Sequence, residues 1–488
     1  MKNTFTLLLC LLLSAGLGIQ TEAKPRLFFS YATFWSPEDG PYVETYFQFD
    51  AYRLKFVPAE PGQFRATVAV LMVFSQDNQI RDFRKYELRS PAIYDTLSRE
   101  FGFFDQQRIV LPGGEYDLEI SISDLNRPFD TLRHIERVVL PSANDSIVFS
   151  SIQLVESYEK TDVIGPLTKS GFDIVPMVDN FFPANINQLT FYCEVYNSSN
   201  VLGENTRFLL QTYIQSFETG RILPAFVRHK RETARNVNVI FNNFDISQLP
   251  SGNYYLVVTL RDQQNNILNS GRQFFQRSNP SIPFQPVLID QQTVEQSFVS
   301  KLNSIDSLRY FIRALEPIST YSQRSFAYSL TNTADISTLQ QYFLGFWTDR
   351  APANPQEAWN SYFIRVRQAN ALFKTQVKRG FETDRGRVLL QYGEPNSVST
   401  SYHEPAAFPY EIWHYYQING QRDKRFVFMT RDIVTNDFEL IHSDVIGELL
   451  NPRWQLMLHR TTQGWDVDTE TAPRHWGSQS EDFFRDPH

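Results

Sequence analysis

The chain has 488 residues, of which 42% are hydrophobic and 20% charged, and its 54 acidic and 46 basic side chains leave a net charge of -8. That length exceeds what one hydrophobic core organises and predicts about three domains, while the composition excludes intrinsic disorder and the charge disfavours nucleic acid as a partner. An aromatic share of 15%, with 41 Phe and 23 Tyr, points to sheets, because flat rings pack well on half-buried pleated surfaces.

At the N-terminus, Lys2 precedes the apolar run Thr6 to Leu13 and a small, polar stretch that ends in Ala23. This order predicts a secretory signal peptide over 1–23, and the run is too short to span a bilayer. Cys10 lies inside the run behind Leu7, Leu8 and Leu9, not after a small residue, so lipidation is not expected. Cleavage leaves Cys193 as the single thiol, in the alternating segment Thr190 to Val195, where packing is the expected role.

A repeat follows. Leu111 to Asp124 (LPGGEYDLEISISD) returns as Leu249 to Asp262 (LPSGNYYLVVTLRD), with Leu, Pro, Gly, Tyr, Leu and Asp in register. Pro and Gly make a turn, and Tyr116, Leu118, Ile120 and Ile122 then alternate inward, as do Tyr254, Leu256, Val258 and Leu260. With aromatic strands upstream at Tyr42 to Phe49 and Leu189 to Tyr196, the repeat predicts two immunoglobulin- or fibronectin-like β-sandwiches, over 24–155 and 156–278. Asp124 and Asp262 read as turn formers rather than calcium ligands, since no second acid follows at ligand spacing.

The proline-dense segment Asn279 to Val287 predicts a stiff linker over 279–299. Beyond it the period changes to 3.6. Leu339, Tyr342, Phe343, Phe346 and Trp347 share one helical face, and Trp359, Tyr362, Phe363, Val366, Asn370 and Phe373 share another, on a helix started by Asn354, Pro355 and Glu357. The domain over 300–460 is then α+β, with helices first, a strand at Arg387 to Tyr392, and an antiparallel hairpin of Glu411 to Ile418 with Arg425 to Thr430 across Asn419-Gly420. Residues 461–488 read as an extended polar tail with Trp465, Trp476, Phe483 and Phe484 as docking anchors or accidents.

Phe346-Trp347-Thr348-Asp349-Arg350, then Tyr362, Arg365, Val366, Ala369, Asn370 and Phe373, then Gly380 to Arg387 (GFETDRGR), Tyr392 to Pro395 and Tyr410 to Trp413 together resemble the GWxTD domain of exported bacterial proteins. Phe381 stands where that family has tryptophan, which keeps a ring but removes an indole donor. The resemblance implies an envelope compartment and this domain order, and it carries no enzymatic activity over. Candidate motif residues are Gly380, Phe381, Thr383, Asp384, Arg385, Gly386, Arg387, Glu411 and Trp413. In the structural reading the glycines supply unusual backbone angles, Asp384 caps or turns the chain, and an arginine pairs with Glu411 or Glu394. In the alternative, Arg365, Arg385 and Arg387 form an anion or polysaccharide site with Trp413 as a stacking face.

Catalytic, cofactor and metal sites are not expected. His403, His414 and His442 lack metal-ligand spacing, and no nucleophile elbow, phosphate loop or dinucleotide fingerprint is present. The expected function is a non-catalytic envelope interaction or scaffold protein, periplasmic or outer-membrane-associated, with envelope proteins as partners. Carbohydrate or polyanion binding and an enzyme of unrecognised type are the alternatives. Asp95-Thr96-Leu97, Asp130-Thr131-Leu132, Asp145-Ser146-Ile147 and Asp306-Ser307-Leu308 resemble periplasmic O-glycosylation acceptors.

Overall fold

The computed structural model describes residues 27–36, 38–97, 101–127, 131–142, 146–286, 289–451, 454–460 and 479–485; the predicted signal peptide, Trp465 and Trp476 lie outside them. The first module contains β1 (Leu27–Ser36), β2 (Gly40–Asp50), the small hairpin β3 (Val57–Glu60) and β4 (Gln63–Arg65), β5 (Thr67–Gln76), β6 (Gln79–Arg89), β7 (Gly102–Val110), β8 (Gly114–Asp124) and β9 (Thr131–Leu140). Two antiparallel sheets, β1-β2-β7 and β6-β5-β8-β9, face each other. Val68, Val70, Met72 and Phe74 of β5 and Tyr116, Leu118, Ile120 and Ile122 of β8 meet Val43, Phe47 and Phe49 of β2, so alternation fills one core.

The second module contains β10 (Val148–Phe149), β11 (Gln153–Lys160), β12 (Thr168–Lys169), β13 (Phe172–Pro176), β14 (Phe181–Phe182), β15 (Gln188–Tyr196), α1 (Ser198–Leu202), β16 (Arg207–Ser216), β17 (Ile222–Thr233), β18 (Val237–Asp245), β19 (Gly252–Arg261) and β20 (Ile267–Arg277). Its order β17-β16-β19-β20 repeats β6-β5-β8-β9, and β10 and β11 pair into its other sheet through β15. The repeat extends to a single bond: the Tyr116 hydroxyl donates to the Pro112 carbonyl at 2.8 Å, and Tyr254 donates to Pro250 at 3.0 Å. Asp124 accepts the Asn126 amide and Asp262 the Asn266 amide in local turns, and Asp124 also accepts the amide of Lys55, 69 residues away. Cys193 is buried in the core of this module, and burial pushes its thiol pKa up.

The modules do not follow one another like beads. β2 is buried continuously from Tyr42 to Phe47, on both faces, because its sheet is sandwiched between its own partner sheet and the second module. Phe34, Tyr42 and Tyr46 pack there against Val155, Ile174 and Tyr192. Within this apolar contact Glu44 accepts from Lys169 Nζ at 2.5 Å, from Arg108 Nη2 at 2.8 Å and from the Tyr46 hydroxyl at 2.5 Å, and Lys169 also reaches Gln153 Oε1 at 2.8 Å. Such a satisfied buried network adds little net stability, but sliding the sheets would strand its charges, so it fixes their register.

In the C-terminal domain, α2 (Gln291–Glu295), α3 (Ile305–Arg313), α4 (Tyr321–Thr333), α5 (Ile336–Arg350), α6 (Pro355–Phe373) and α7 (Asp384–Tyr392) precede the antiparallel sheet β21-β22-β23-β24 (Ser397–Ser401, Tyr410–Ile418, Gln421–Met429, Glu439–Ser443). α6 starts as predicted, with the Asn354 side chain accepting the Glu357 amide at 3.2 Å. The hairpin turns at Asn419-Gly420, where both φ are positive, at 46° and 71°. It is the middle of a four-stranded meander whose one face meets the helices through Trp413, Tyr415, Phe426 and Phe428. The opposite face, with Ile412, Val427 and Ile441, is covered by α8 (Trp454–Leu458) and by Phe483 and Phe484.

Four expectations need correction. The first sandwich ends before 148 and not at 155, because β10 and β11 pair into the second module's sheet through β15. The stiff linker is shorter than 279–299, because Gln291–Glu295 is helical and Val294 and Val299 belong to the C-terminal core. The stretch Arg387 to Tyr392 is helix α7, not a strand: the consecutive Val388, Leu389 and Leu390 are buried with Arg385 and Gly386, while Asp384, Arg387 and Gln391, spaced at one helical face, stay half-buried. The tail is not extended throughout, since Ser480–Arg485 forms α9 and places Phe484 against His442 and Trp454 at ring distances of 5.5 and 5.3 Å.

Candidate functional site

α7 begins where the chain leaves a short turn at Gly380–Glu382. Thr383, and not Asp384, is its cap: the hydroxyl accepts the Gly386 amide at 3.1 Å and donates to the Gly380 carbonyl at 2.7 Å. Asp384 instead accepts the Leu440 amide at 2.8 Å and ties the helix to β24. Gly380 and Gly386 do not have the unusual backbone angles expected of them, for neither is among the positive-φ residues. They are small because the chain crosses itself here: a Cβ on Gly380 would run into the Ala369 carbonyl of α6, and one on Gly386 into the Gly380 carbonyl.

The charges are consumed internally. Arg385 Nη1 donates to Glu411 Oε1 at 2.7 Å, and Nη2 donates to the Asn436 carbonyl at 2.9 Å and to its side-chain oxygen at 2.5 Å, with the Phe438 ring 4.0 Å from the guanidinium carbon. Glu411 also accepts from the Tyr402 hydroxyl at 2.7 Å and from the Trp413 indole at 3.0 Å. Arg387 forks onto Glu448 with two bonds of 2.8 Å, and Tyr392 donates to the same carboxylate at 2.7 Å. The first motif stretch faces the second module, where Asp349 pairs with Arg221. Arg350 donates to Ile318 O at 2.9 Å and Gln323 Oε1 at 3.0 Å. Burial lowers the Arg350 pKa to about 10.

The anion site of the alternative reading is therefore not assembled. Arg365 is exposed on α6, Arg385 and Arg387 are paired, and Trp413 is buried against Phe373 and Phe428. Of the two suggested carboxylates, Glu411 takes Arg385, while Glu394 accepts from Gln368 instead. Sequence reasoning missed Glu448, Tyr402 and Asn436; only Asn436, in the turn-like run Thr435-Asn436-Asp437 and at φ 53°, left a local signal. His403, His414 and His442 do not converge: His414 Nε2 meets Asp423 at 2.6 Å, and His442 Nδ1 accepts the Asn451 amide at 3.1 Å. Among the described residues no group of three His, Cys, Asp or Glu could hold a metal ion.

Residues 292–455 match the model of the GWxTD domain. The chain carries a GWxTD domain. Phe381, at the position of the family's tryptophan, is buried edge-on to Tyr310 with centroids 5.7 Å apart. No curated protein matches the chain. Among solved structures, it is similar to the CARDB domain of a Pyrococcus furiosus protein in complex with two metal ions, at 14% identity and a TM-score of 0.15 over 28% of this chain and 94% of that one. It is also similar to a glycosyl hydrolase family 2 member from Bacteroides cellulosilyticus, at 9% identity and a TM-score of 0.18 over 48% of this chain and 28% of that one. A calcium-binding mutant of Bacteroides uniformis beta-glucuronidase 2 gives 10% identity and a TM-score of 0.18 over 55% of this chain and 36% of that one. Likenesses this low carry no argument about activity.

The His442 environment predicts an acid-labile GWxTD domain. Burial first, and the His134 side chain of β9 second, lower its pKa to about 3. A histidine held neutral in the fold but free to charge near 6.5 when unfolded costs stability as pH falls from about 6.5 toward 3, at roughly 1.4 kcal/mol for each pH unit. Denaturation curves across that window should show this loss, and His442→Gln should flatten it while leaving stability at pH 8 less affected.

Proposed function

We propose that this chain is a non-catalytic scaffold of the bacterial cell envelope, periplasmic or outer-membrane-associated, that holds a partner protein. The observation that carries the reading is the internal satisfaction of the motif: Arg385, Arg387, Asp384 and Thr383 each bond to another part of the domain. Groups spent on neighbours shape a surface and do not transform a substrate. Two sandwiches locked face to face and a domain resting on both support a rigid body for presenting that surface. The domain's contacts are Asp349 with Arg221, Asp423 with Arg137 at 3.6 Å, and Ser322 Oγ with Ser251 O at 2.9 Å.

No helix among the described residues is long and apolar enough to cross a membrane. The envelope assignment therefore rests on the N-terminal sequence and on the company of the GWxTD domain. N-terminal sequencing of the natural protein should begin at Lys24, and an intact N-terminus would refute export by this signal. Among the described residues Trp347, Trp359, Trp413 and Trp454 are buried and Trp35 is half-buried, which weighs against a carbohydrate stacking on those rings. Native purification from envelope extracts should recover an envelope protein in stoichiometric amount. Recovery of the chain alone would count against a scaffold. An intact mass equal to that of the mature polypeptide would exclude the O-glycosylation proposed at Thr96, Thr131, Ser146 and Ser307.

A further inference from the structure

The contact between the two sandwiches buries groups whose chemistry goes beyond fixing a register. Lys169 of β12, Gln153 of β11 and Glu44 of β2 are 7%, 4% and 0% exposed. Aromatic rings wall them in, with the Phe34 centroid 4.0 Å and the Tyr192 centroid 5.8 Å from Lys169 Nζ. Lys169 Nζ meets two different acceptors there, a carboxylate oxygen, Glu44 Oε2, at 2.5 Å and an amide oxygen, Gln153 Oε1, at 2.8 Å. The contacts then close into a ring. The Tyr46 hydroxyl donates to Glu44 Oε2 at 2.5 Å and accepts from Gln153 Nε2 at 3.0 Å. An amine, an amide carbonyl, a carboxylate and a hydroxyl that reaches the amide nitrogen are the parts needed to transfer an acyl group from glutamine to lysine.

The surroundings favour the reactive form of each group. Burial lowers the Lys169 pKa; Glu44 opposes that effect and Arg108 adds to it, so a neutral amine is closer at hand than on a surface lysine. Arg108 bonds the other carboxylate oxygen, Glu44 Oε1, at 2.8 Å, which leaves Oε2 to the lysine and the tyrosine. Groups held in contact react as if at very high concentration, and burial keeps out the water that would compete for the acyl carbon.

We propose that Lys169 and Gln153 join in an isopeptide bond within the folded chain, with Glu44 as the proton carrier. Lys169 passes a proton to Glu44 Oε2, and the neutral amine forms a bond from Nζ to Gln153 Cδ. The bond from Cδ to Nε2 breaks as Nε2 receives two protons, the one Glu44 took first and a second from the attacking nitrogen, both by way of the Tyr46 hydroxyl. The nitrogen leaves as ammonium, Glu44 ends ionised, and nothing is oxidised or reduced. The product ties β12 to β11 across β13, the strand between them, so the two-residue strand that carries Lys169 can no longer peel from the seam. Trypsin digestion of the purified chain with mass spectrometry reads this without any partner protein. Cleavage after Lys169 should be lost, and residues 138–160 should appear joined to 161–207, lighter by one ammonia than the two peptides apart. Gln153→Leu should restore the cleavage. Glu44→Gln, shown by circular dichroism to be folded, and Tyr46→Phe, which removes a single hydroxyl, should each leave most chains unlinked. Separate, unmodified Gln153 and Lys169 peptides from the unsubstituted chain overturn the proposal, and a link that forms as fully in both of those variants overturns the role given to Glu44.

Discussion

Replacing Gly386 or Gly380 with alanine should unfold the GWxTD domain under conditions where the unsubstituted chain is fully native. Gly386 lies in α7, and an alanine inside an ordinary helix gains about 1 kcal/mol over glycine, so propensity alone predicts stabilisation. The opposite sign is expected because the new methyl groups would strike the backbone carbonyls of Gly380 and Ala369, which cannot swing aside as a flexible side chain could. Overpacking against backbone costs about 1–3 kcal/mol and more where nothing yields. Tryptophan fluorescence in a denaturant titration of a Trp35→Phe background reads this domain, since Trp347, Trp359, Trp413 and Trp454 all lie in it. A Gly386→Ala chain as stable as the parent would show that the Gly380 carbonyl can yield to α7.

Arg385→Met should be the most damaging change of a motif arginine, at about 3–5 kcal/mol, the usual effect of stranding one partner of a buried pair. Its side chain is 6% exposed and that of Glu411 is 7% exposed, so the abandoned carboxylate keeps Tyr402 and Trp413 but loses its counter-charge. Adding Glu411→Gln should recover part of the loss, because a neutral amide suffers less in the same place. Arg387→Met should cost less, since that side chain is 25% exposed and water can reach the site. Equal effects of the two arginines, or no recovery in the double variant, would mean that burial of the Arg385 pair does not dominate. Protease sensitivity near Asn436 should rise in Arg385→Met, because the arginine also anchors that turn.

Sequence alone determined the order of the parts. Period-two alternation marked the strands, and the repeat of Leu-Pro-x-Gly-x-Tyr marked the paired modules. Asn354-Pro355 located the start of α6, and Asn419-Gly420 located the hairpin. These signals are local, written in residues a few positions apart, and short-range backbone physics reads them.

Tertiary structure decided what depended on distant partners. A short apolar run such as Val388 to Leu390 is neutral between strand and helix until its neighbours are placed, and here burial on several sides selected the helix. The same limit applies to Arg385 and Arg387: spacing could not say whether they face water or carboxylates, and Glu411 and Glu448 come from other elements. Gly380 and Gly386 carry no trace in sequence of the carbonyls pressed against them. The face-to-face seating of the sandwiches around Glu44 and Lys169, residues 125 positions apart, follows from long-range packing that no window of sequence contains.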